Sequence, residues 1–379
     1  MKSTKDKRNI LMISASESDA NLYYATKFLA PDPFIFVQVR GRRHLLMSDL
    51  EVDRARSQST ADQVHSISKL YGDYRKKFGK KADFVEILSS FLKKQKAGPL
   101  TVPQDFPVHY ADMLRGRGFK ISVGEDSFFP ERVVKSAYEV KAMQDAIRSV
   151  ERAFDKVVKL LKKSTIKKGR VFYQGKPVTS ESLRQVINVS LMEEGCIAQH
   201  TIVACGQHAV DPHDEGSGPI LANESIIMDI FPRNGTTRYF ADFTRTVVKG
   251  KAKPKLKRMY DAVAEGQNIG FRMIKEGVNA REVHQKIHEY FVSLGFLTGV
   301  KDGRMQGFFH GTGHGLGLDI HELPRVGGVN EILKAGHVVT VEPGLYYADA
   351  GGVRLEDVVV VTKRGNRNLT KYPKFLEIA

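Results

Sequence analysis

His310-Gly311-Thr312-Gly313-His314-Gly315-Leu316-Gly317-Leu318-Asp319-Ile320-His321-Glu322 is the stretch on which the fold and chemistry of this chain turn. Three histidines fall within twelve residues, separated by four glycines that let a backbone approach a ligand closely. A lone histidine is more often a satisfied core or surface residue than a ligand. The clustering points instead to a binding or catalytic site.

Carboxylates embedded in apolar runs lie on both sides of it. Asp229 lies in Ile226-Ile227-Met228-Asp229-Ile230-Phe231, and Asp242 in Tyr239-Phe240-Ala241-Asp242-Phe243. Glu342 follows Val338-Val339-Thr340-Val341, and Glu356 with Asp357 precedes Val358-Val359-Val360. A buried carboxylate costs several kcal/mol unless it is paired or binds metal. Such a set within one domain calls for a compensating cation. Asp229 and Asp242 flank the turn-rich segment Arg233-Asn234-Gly235-Thr236-Thr237-Arg238, which carries an Asn-Gly hairpin signal. A symmetric hairpin sets the two aspartates opposite each other, on one face of a sheet.

The candidate ligands are therefore Asp229, Asp242, His314, Glu342 and Glu356. One tetrahedral zinc takes three or four ligands and favours Cys and His. A set of four carboxylates and one histidine suits two hard or borderline divalent ions instead, with manganese, cobalt or iron as suitable as zinc. Two such ions about 3.5–4 Å apart would activate a water and polarise a carbonyl.

The wider pattern divides the 379-residue chain in two. Asn9–Ser14, Phe34–Val39, His44–Ser48 and Phe119–Val123 read as strands alternating with helices, an α/β arrangement. The alternation stops at Phe128-Phe129-Pro130-Glu131, which gives an expected N-terminal domain over 1–135 and a second domain over 136–379. Ser136-x-x-Glu139 opens a long helix with an apolar stripe from Val140 to Leu161. A helix over Ser180–Glu194 follows, capped by Thr179 and ended by Gly195, and then strands over Thr201–Cys205, Ser225–Phe231 and Tyr239–Val248. The order repeats after Pro254: a helix from Leu256 to Glu276, another opened by Asn279-x-x-Glu282, then strands over His337–Pro343 and Arg354–Thr362. Two rounds of helix, helix, strands imply a duplicated α+β domain.

Composition narrows the function classes. The chain is 41% hydrophobic and 27% charged, which excludes disorder as its main state. The two cysteines, Cys196 and Cys205, provide no disulfide framework and fit a reducing cytoplasm. Lys2, Lys5, Lys7 and Arg8 resemble the start of a signal peptide. The apolar stretch Ile10–Ile13 is too short to complete one, and no apolar run is long enough for a membrane span. A cytoplasmic protein without membrane contact is expected. The net charge of +16 is spread evenly over both domains, which argues for a generally basic surface and against a nucleic-acid site.

Together, Asp229, Asp242-Phe243-Thr244-Arg245-Thr246, the His310–Glu322 stretch, Thr340-Val341-Glu342-Pro343-Gly344 and Arg354-Leu355-Glu356-Asp357 resemble the pita-bread metallopeptidases: prolidase, aminopeptidase P and methionine aminopeptidase. The resemblance covers essentially the whole chain. It implies an α/β N-terminal domain of the creatinase/prolidase type and a pita-bread catalytic domain. By matched position, Asp229 is a ligand of one metal, Asp242 and Glu356 bridge two, and His314 is the sole histidine ligand. Glu342 is both ligand and general base. His321 and His213 match histidines that contact substrate, and His310 and Arg354 match further active-site positions of the proline-specific branch. The implied activity is that of a hydrolase, an Xaa-Pro dipeptidase or aminopeptidase, acting on proline-containing peptides with two divalent ions, manganese first. A homodimer is implied as well. The rival reading is a non-catalytic pita-bread protein that binds nucleic acid or protein through its basic surface; such relatives tend to lose the metal ligands, which are all present here.

Overall fold

The apolar runs of the first third form a mixed six-stranded sheet in the computed structural model, which describes residues 8–125 and 127–379. Lys2, Lys5 and Lys7 lie outside the described residues. The first compact unit is Met1–Pro130. Its elements are β1 (Asn9–Ser14), α1 (Ala20–Thr26), β2 (Phe34–Val39), β3 (Arg42–Met47), α2 (Val52–Gln58), β4 (Gln63–Ser66), α3 (Ile67–Phe78), α4 (Phe84–Lys94), β5 (Leu100–Val102), α5 (Val108–Gly116) and β6 (Ile121–Val123). The strand order is β4-β3-β2-β1-β5-β6. All six residues of β2 are buried, which explains its near-continuous apolar run, broken only at Gln38. One core lies under each face: Ile10, Met12, Phe36 and Leu45 on one side, Leu11, Ile35, Val37 and Leu46 on the other.

This unit contains a histidine pair. His44 on β3 and His65 on β4 lie with Nδ1 and Nε2 3.2 Å apart, and Phe91 meets both rings edge-on. Burial pushes His44 below the usual histidine range, and burial together with the His44 and Lys94 charges pushes His65 down to about 4. The unfolded chain takes up protons near pH 6.5, where the folded pair does not. Stability from this pair is therefore present above about pH 6.5 and is lost as the pH falls toward about 4. Unfolding free energies from urea titrations at about pH 7.5 and pH 5 should differ by on the order of 1 kcal/mol more in the parent chain than in His65→Phe. An equal pH dependence in both would contradict this account.

The second unit is Glu131–Ala379. The division falls a few residues ahead of the expected boundary at 135, because Arg132 and Lys135 bond to Glu322 within this unit. It opens on α6 (Ala137–Lys163), with the Ser136 and Glu139 side chains each bonded to the other's backbone N–H. Val140, Met143, Ile147, Val150, Phe154, Val157 and Leu161 are all buried, each contributing roughly 1.5–3 kcal/mol relative to exposure. Next come α7 (Ser180–Glu193), β7 (Ile202–Cys205), β8 (Ser225–Asp229) and β9 (Thr244–Lys249). The second round is α8 (Pro254–Met273), α9 (Ala280–Ser293), β10 (Gly313–Gly315), β11 (Glu322–Val326), β12 (Val338–Val341), β13 (Gly344–Tyr347), β14 (Gly351–Arg354), β15 (Asp357–Val361), β16 (Asn366–Asn368) and β17 (Glu377–Ile378). Sheet orders are β7-β8-β9-β17, β11-β10-β12-β15-β16 and the pair β13-β14. Each pair of helices is thus followed by its own sheet. At Asn279 only half of the expected capping box forms, its side chain accepting from Arg281 N.

Two glycines of α8 bring the second helix pair onto its sheet. A Cβ at Gly270 would lie 2.8 Å from Val341 Cγ1, and one at Gly266 would lie 2.8 Å from the Phe291 ring. Val341 ends β12, so this close approach fixes the strand end from which Glu342 projects. Cys196 and Cys205 are free and buried. No helix among the described residues is long and apolar enough to cross a membrane.

Candidate metal centre and active site

The four expected carboxylate ligands sit where strand ladders stop, whereas His314 is the middle residue of β10. Asp229 is the last residue of β8, Glu342 directly follows β12, and Glu356 lies in the break between β14 and β15. Asp242 precedes β9, because residues 239–243 form no strand; this corrects the expected strand over Tyr239–Val248. Their backbone bonds go elsewhere, Phe240 N to Gly317 O and Ala241 N to Pro232 O. The expected strand over Arg354–Thr362 is likewise two strands, and between them Glu356 N donates to Thr244 O across 3.0 Å. At a strand end a side chain is free of the alternation that would otherwise set it against a sheet neighbour.

The symmetric hairpin is also corrected. Asp229 pairs with Thr244, not Asp242, and the ladder continues to an Arg233–Phe240 bridge. Asn234 closes the turn by accepting from Thr236 N and Thr237 N, and Arg238 takes a left-handed φ of 68°. The shift is even, so Asp242 keeps the parity of the residue opposite Asp229.

Asp242, His314 and Glu356 offer ligand atoms within 4.8 Å of one another. His314 Nε2 lies 3.5 Å from Asp242 Oδ2 and 3.3 Å from Glu342 Oε1. Its Nδ1 faces Gly315 O at 3.0 Å, so Nδ1 carries the hydrogen and the Nε2 lone pair points at two carboxylates. Asp229 Oδ1 and Glu356 Oε1 are buried without a hydrogen-bond partner. Burial and the negative charges of their neighbours push Asp242 and Glu356 well above the usual carboxylate range. Burial also pushes Glu342 up, to about 7, the Asp229 charge adding to it and Arg354 opposing it. Acceptors turned on acceptors, with orphaned carboxylate oxygens, are the donor set of divalent cations, and these residues fit them.

Arg354 organises the edge of the cluster. Its Nη2 donates to Asp229 Oδ2 at 2.6 Å and to Pro212 O at 3.3 Å, and its Nη1 donates to the Tyr346 hydroxyl at 2.8 Å. His310 Nε2 lies 3.0 Å from that hydroxyl, and its Nδ1 lies 2.7 Å from Gly311 O. The Gly311 carbonyl takes the Nδ1 hydrogen, so Nε2 accepts from Tyr346. Burial, with Arg354 beside it, pushes His310 down to about 3, which keeps the ring neutral. The His321 ring stands edge-on to His314 at 4.3 Å, and burial and His314 push it down to about 4. His213 is exposed on the loop whose Pro212 carbonyl Arg354 holds. All of the expected site residues therefore gather at one end of the two sheets.

Several residues escaped the sequence reading. Tyr346 reads as an apolar strand residue, and only its place in β13, just after Glu342-Pro343, marks it. Thr244 donates to Glu356 Oε2 at 2.7 Å and Thr340 to Glu342 Oε1 at 3.2 Å, while Thr312 receives the Glu342 amide on its carbonyl at 2.7 Å. His284 on α9 meets Thr312 Oγ1 at 3.1 Å.

Behind the cluster, the neighbouring acidic residues 356 and 357 have opposite surroundings. Glu356 faces the candidate metal ligands, whereas Asp357 is held by Arg245 Nη2 at 2.8 Å, Asn368 Nδ2 at 2.8 Å and Lys374 Nζ at 2.7 Å.

The model of metallopeptidase family M24 matches residues 141–363, more than half of the chain. Uncharacterized peptidase YqhT of Bacillus subtilis is 31% identical over 251 residues, 65% of each chain. The Xaa-Pro dipeptidase of Pyrococcus horikoshii is 30% identical over 242 residues, 63% of each. The matched stretch thus spans less than two thirds of these relatives' length. Among solved structures, the X-Pro aminopeptidase from Thermotoga maritima superposes with a TM-score of 0.81 at 23% identity, covering 98% of this chain and 97% of the other. The prolidase from Pyrococcus furiosus gives 0.78 at 22%, covering 97% of both. At that identity the likeness establishes the fold, a pita-bread fold in the second unit.

Proposed function

The chain belongs to metallopeptidase family M24, and from that membership we propose that it is a metal-dependent Xaa-Pro peptidase. It would release the N-terminal residue from peptides with proline in second position. The observation that carries the reading is the His314 lone pair turned on Asp242 and Glu342 amid orphaned carboxylate oxygens. Asp229, Asp242, His314, Glu342 and Glu356 would hold two divalent ions, manganese first, with cobalt, zinc or iron as alternatives. When bound, these ions supply an activated water and polarise the substrate carbonyl.

The rest is work for the chain's own side chains. Glu342 accepts a proton at a carboxylate oxygen, oriented by the Thr340 hydroxyl and the Thr312 carbonyl. His321 and His213 flank the cluster as donors to the developing oxyanion and the leaving amine. His310 acts indirectly: because its Nε2 accepts from Tyr346, it fixes that phenol, which in turn orients the Arg354 guanidinium on Asp229. The homodimer remains part of the proposal.

Protein stripped with chelator should be inactive and should regain turnover on reloading with manganese or cobalt, assayed on an Xaa-Pro dipeptide beside an Xaa-Pro-Yaa tripeptide. Absence of metal-dependent turnover on both substrates would sink the proposal.

A further inference from the structure

His213, like His310 and His321, lies on a loop outside the strands. It is exposed, and among the described residues its ring has no hydrogen-bond partner. Its place is set by the loop that carries it. That loop leaves β7 at Gly206, whose N–H donates to Ser225 O, passes through a short 3-10 turn over His208–Val210, and returns where Val203 N donates to Glu215 O. A Cβ at Gly216 would lie 2.0 Å from Val203 O, so the returning limb lies directly on β7. Between these anchors, residues 209–213 span the loop.

Two contacts grip His213 from either side. Ahead of it, the Pro212 carbonyl accepts from Arg354 Nη2 at 3.3 Å, tying the loop to the guanidinium that also holds Asp229. Behind it, Asp214 Oδ2 lies 2.7 Å from His208 Nδ1, joining the outgoing and returning limbs. Asp214 Oδ1 also accepts from Gly216 N at 2.7 Å, and His213 N donates to Asp211 Oδ1 at 3.1 Å. Burial pushes Asp214 up, but the His208 ring and the Gly216 amide prevail and hold its carboxyl below the usual range. Every bond around His213 fixes backbone or a neighbour and leaves its ring pointing free.

We propose that the His208–Asp214 pair is a clasp that positions His213 over the cluster of Asp242, His314 and Glu356. His208 is a positioning residue: it touches no candidate ligand and acts by setting the loop. The inference rests on the donor role given to His213 above. A donor held in place need not be ordered when substrate arrives, so loss of the clasp should lower kcat more than it raises KM.

The amide nitrogen of Asn occupies nearly the place of His Nδ1, which makes a conservative variant available. His208→Ala should lower kcat on an Xaa-Pro substrate roughly tenfold with little change in KM, and His208→Asn should restore most of it. In a His213→Ala background, His208→Ala should cost little more, because both changes remove the same function. An unchanged kcat in His208→Ala, or a full further loss in the double variant, would overturn the clasp. Amide hydrogen exchange over residues 207–216 reads the clasp without activity. Exchange there should be faster in His208→Ala and near the parent rate in His208→Asn; equal rates in all three overturn it. A parent chain with no Xaa-Pro turnover would bring down the preceding proposal, with the clasp still decided by exchange.

Discussion

Glu342→Gln should lower kcat for Xaa-Pro hydrolysis by about 10²–10⁴-fold, the usual contribution of a positioned general base. The change is nearly isosteric. The backbone bond from Glu342 N to Thr312 O is untouched, and the side-chain carbonyl can still accept from Thr340 Oγ1. What disappears is the capacity to take a proton. Asp229, Asp242, His314 and Glu356 remain, so the variant should retain much of its metal. Steady-state kinetics paired with metal analysis of the same preparation tests this, and turnover near the parent level would exclude Glu342 as the base.

The second large effect is on stability and lies outside the ligand set. Glu322, the neighbour of His321, accepts from Arg132 and Lys135 and from the amides of Leu318 at 2.9 Å and Asp319 at 3.0 Å. Burial pushes its carboxyl up, but the Lys135 and Arg132 charges prevail and hold it below the usual range. The Lys135 side chain is only 2% exposed and the Glu322 side chain 7%. Removing one partner of such a buried set leaves a charge uncompensated, at a cost of roughly 3–5 kcal/mol. Glu322→Ala should therefore lower the unfolding free energy from urea titration sharply, while a control such as Glu193→Ala, in an exposed pair with Lys156, should change it by less than about 1 kcal/mol. Equal shifts in the two variants would show that the buried set contributes nothing.

The elements that were legible in the sequence are those set by near neighbours. The Ser136 capping box and the α6 stripe lie within single turns of their own partners, and the carboxylates stood out because their apolar surroundings made them costly. The ends of the strands were not legible. Nothing near Tyr239 or Phe240 announces that Phe240 N will bond to Gly317 O, a residue distant in sequence, and without that bond the stretch 239–248 reads as one strand. The hairpin register went astray for the same reason: the Asn-Gly pair marks a turn, but Asn234 closes it with its side chain and moves the centre toward Thr237. Tyr346 was hidden because a phenol in a buried strand is ordinarily core, and its two polar partners come from His310 and from the far end of β14.

The opposed surroundings of Glu356 and Asp357 bear on how this segment can evolve. The two acids are interchangeable in composition but not in place: one is orphaned toward the candidate cations, the other is neutralised by Arg245 and Lys374. Gaining one residue between Arg354 and Glu356 would carry Glu356 to the place of Asp357 and set the new residue toward the candidate metal ligands. Losing Leu355 would carry Asp357 to the place of Glu356 and leave Val358 facing Arg245 and Lys374. Either change removes a carboxylate from one of the two places that need it, the candidate metal ligands or the Arg245–Lys374 pair. Length changes in this lineage should therefore accumulate in exposed turns such as Ala348–Asp349, and Leu355 should keep its count of neighbours on either side even where its identity drifts.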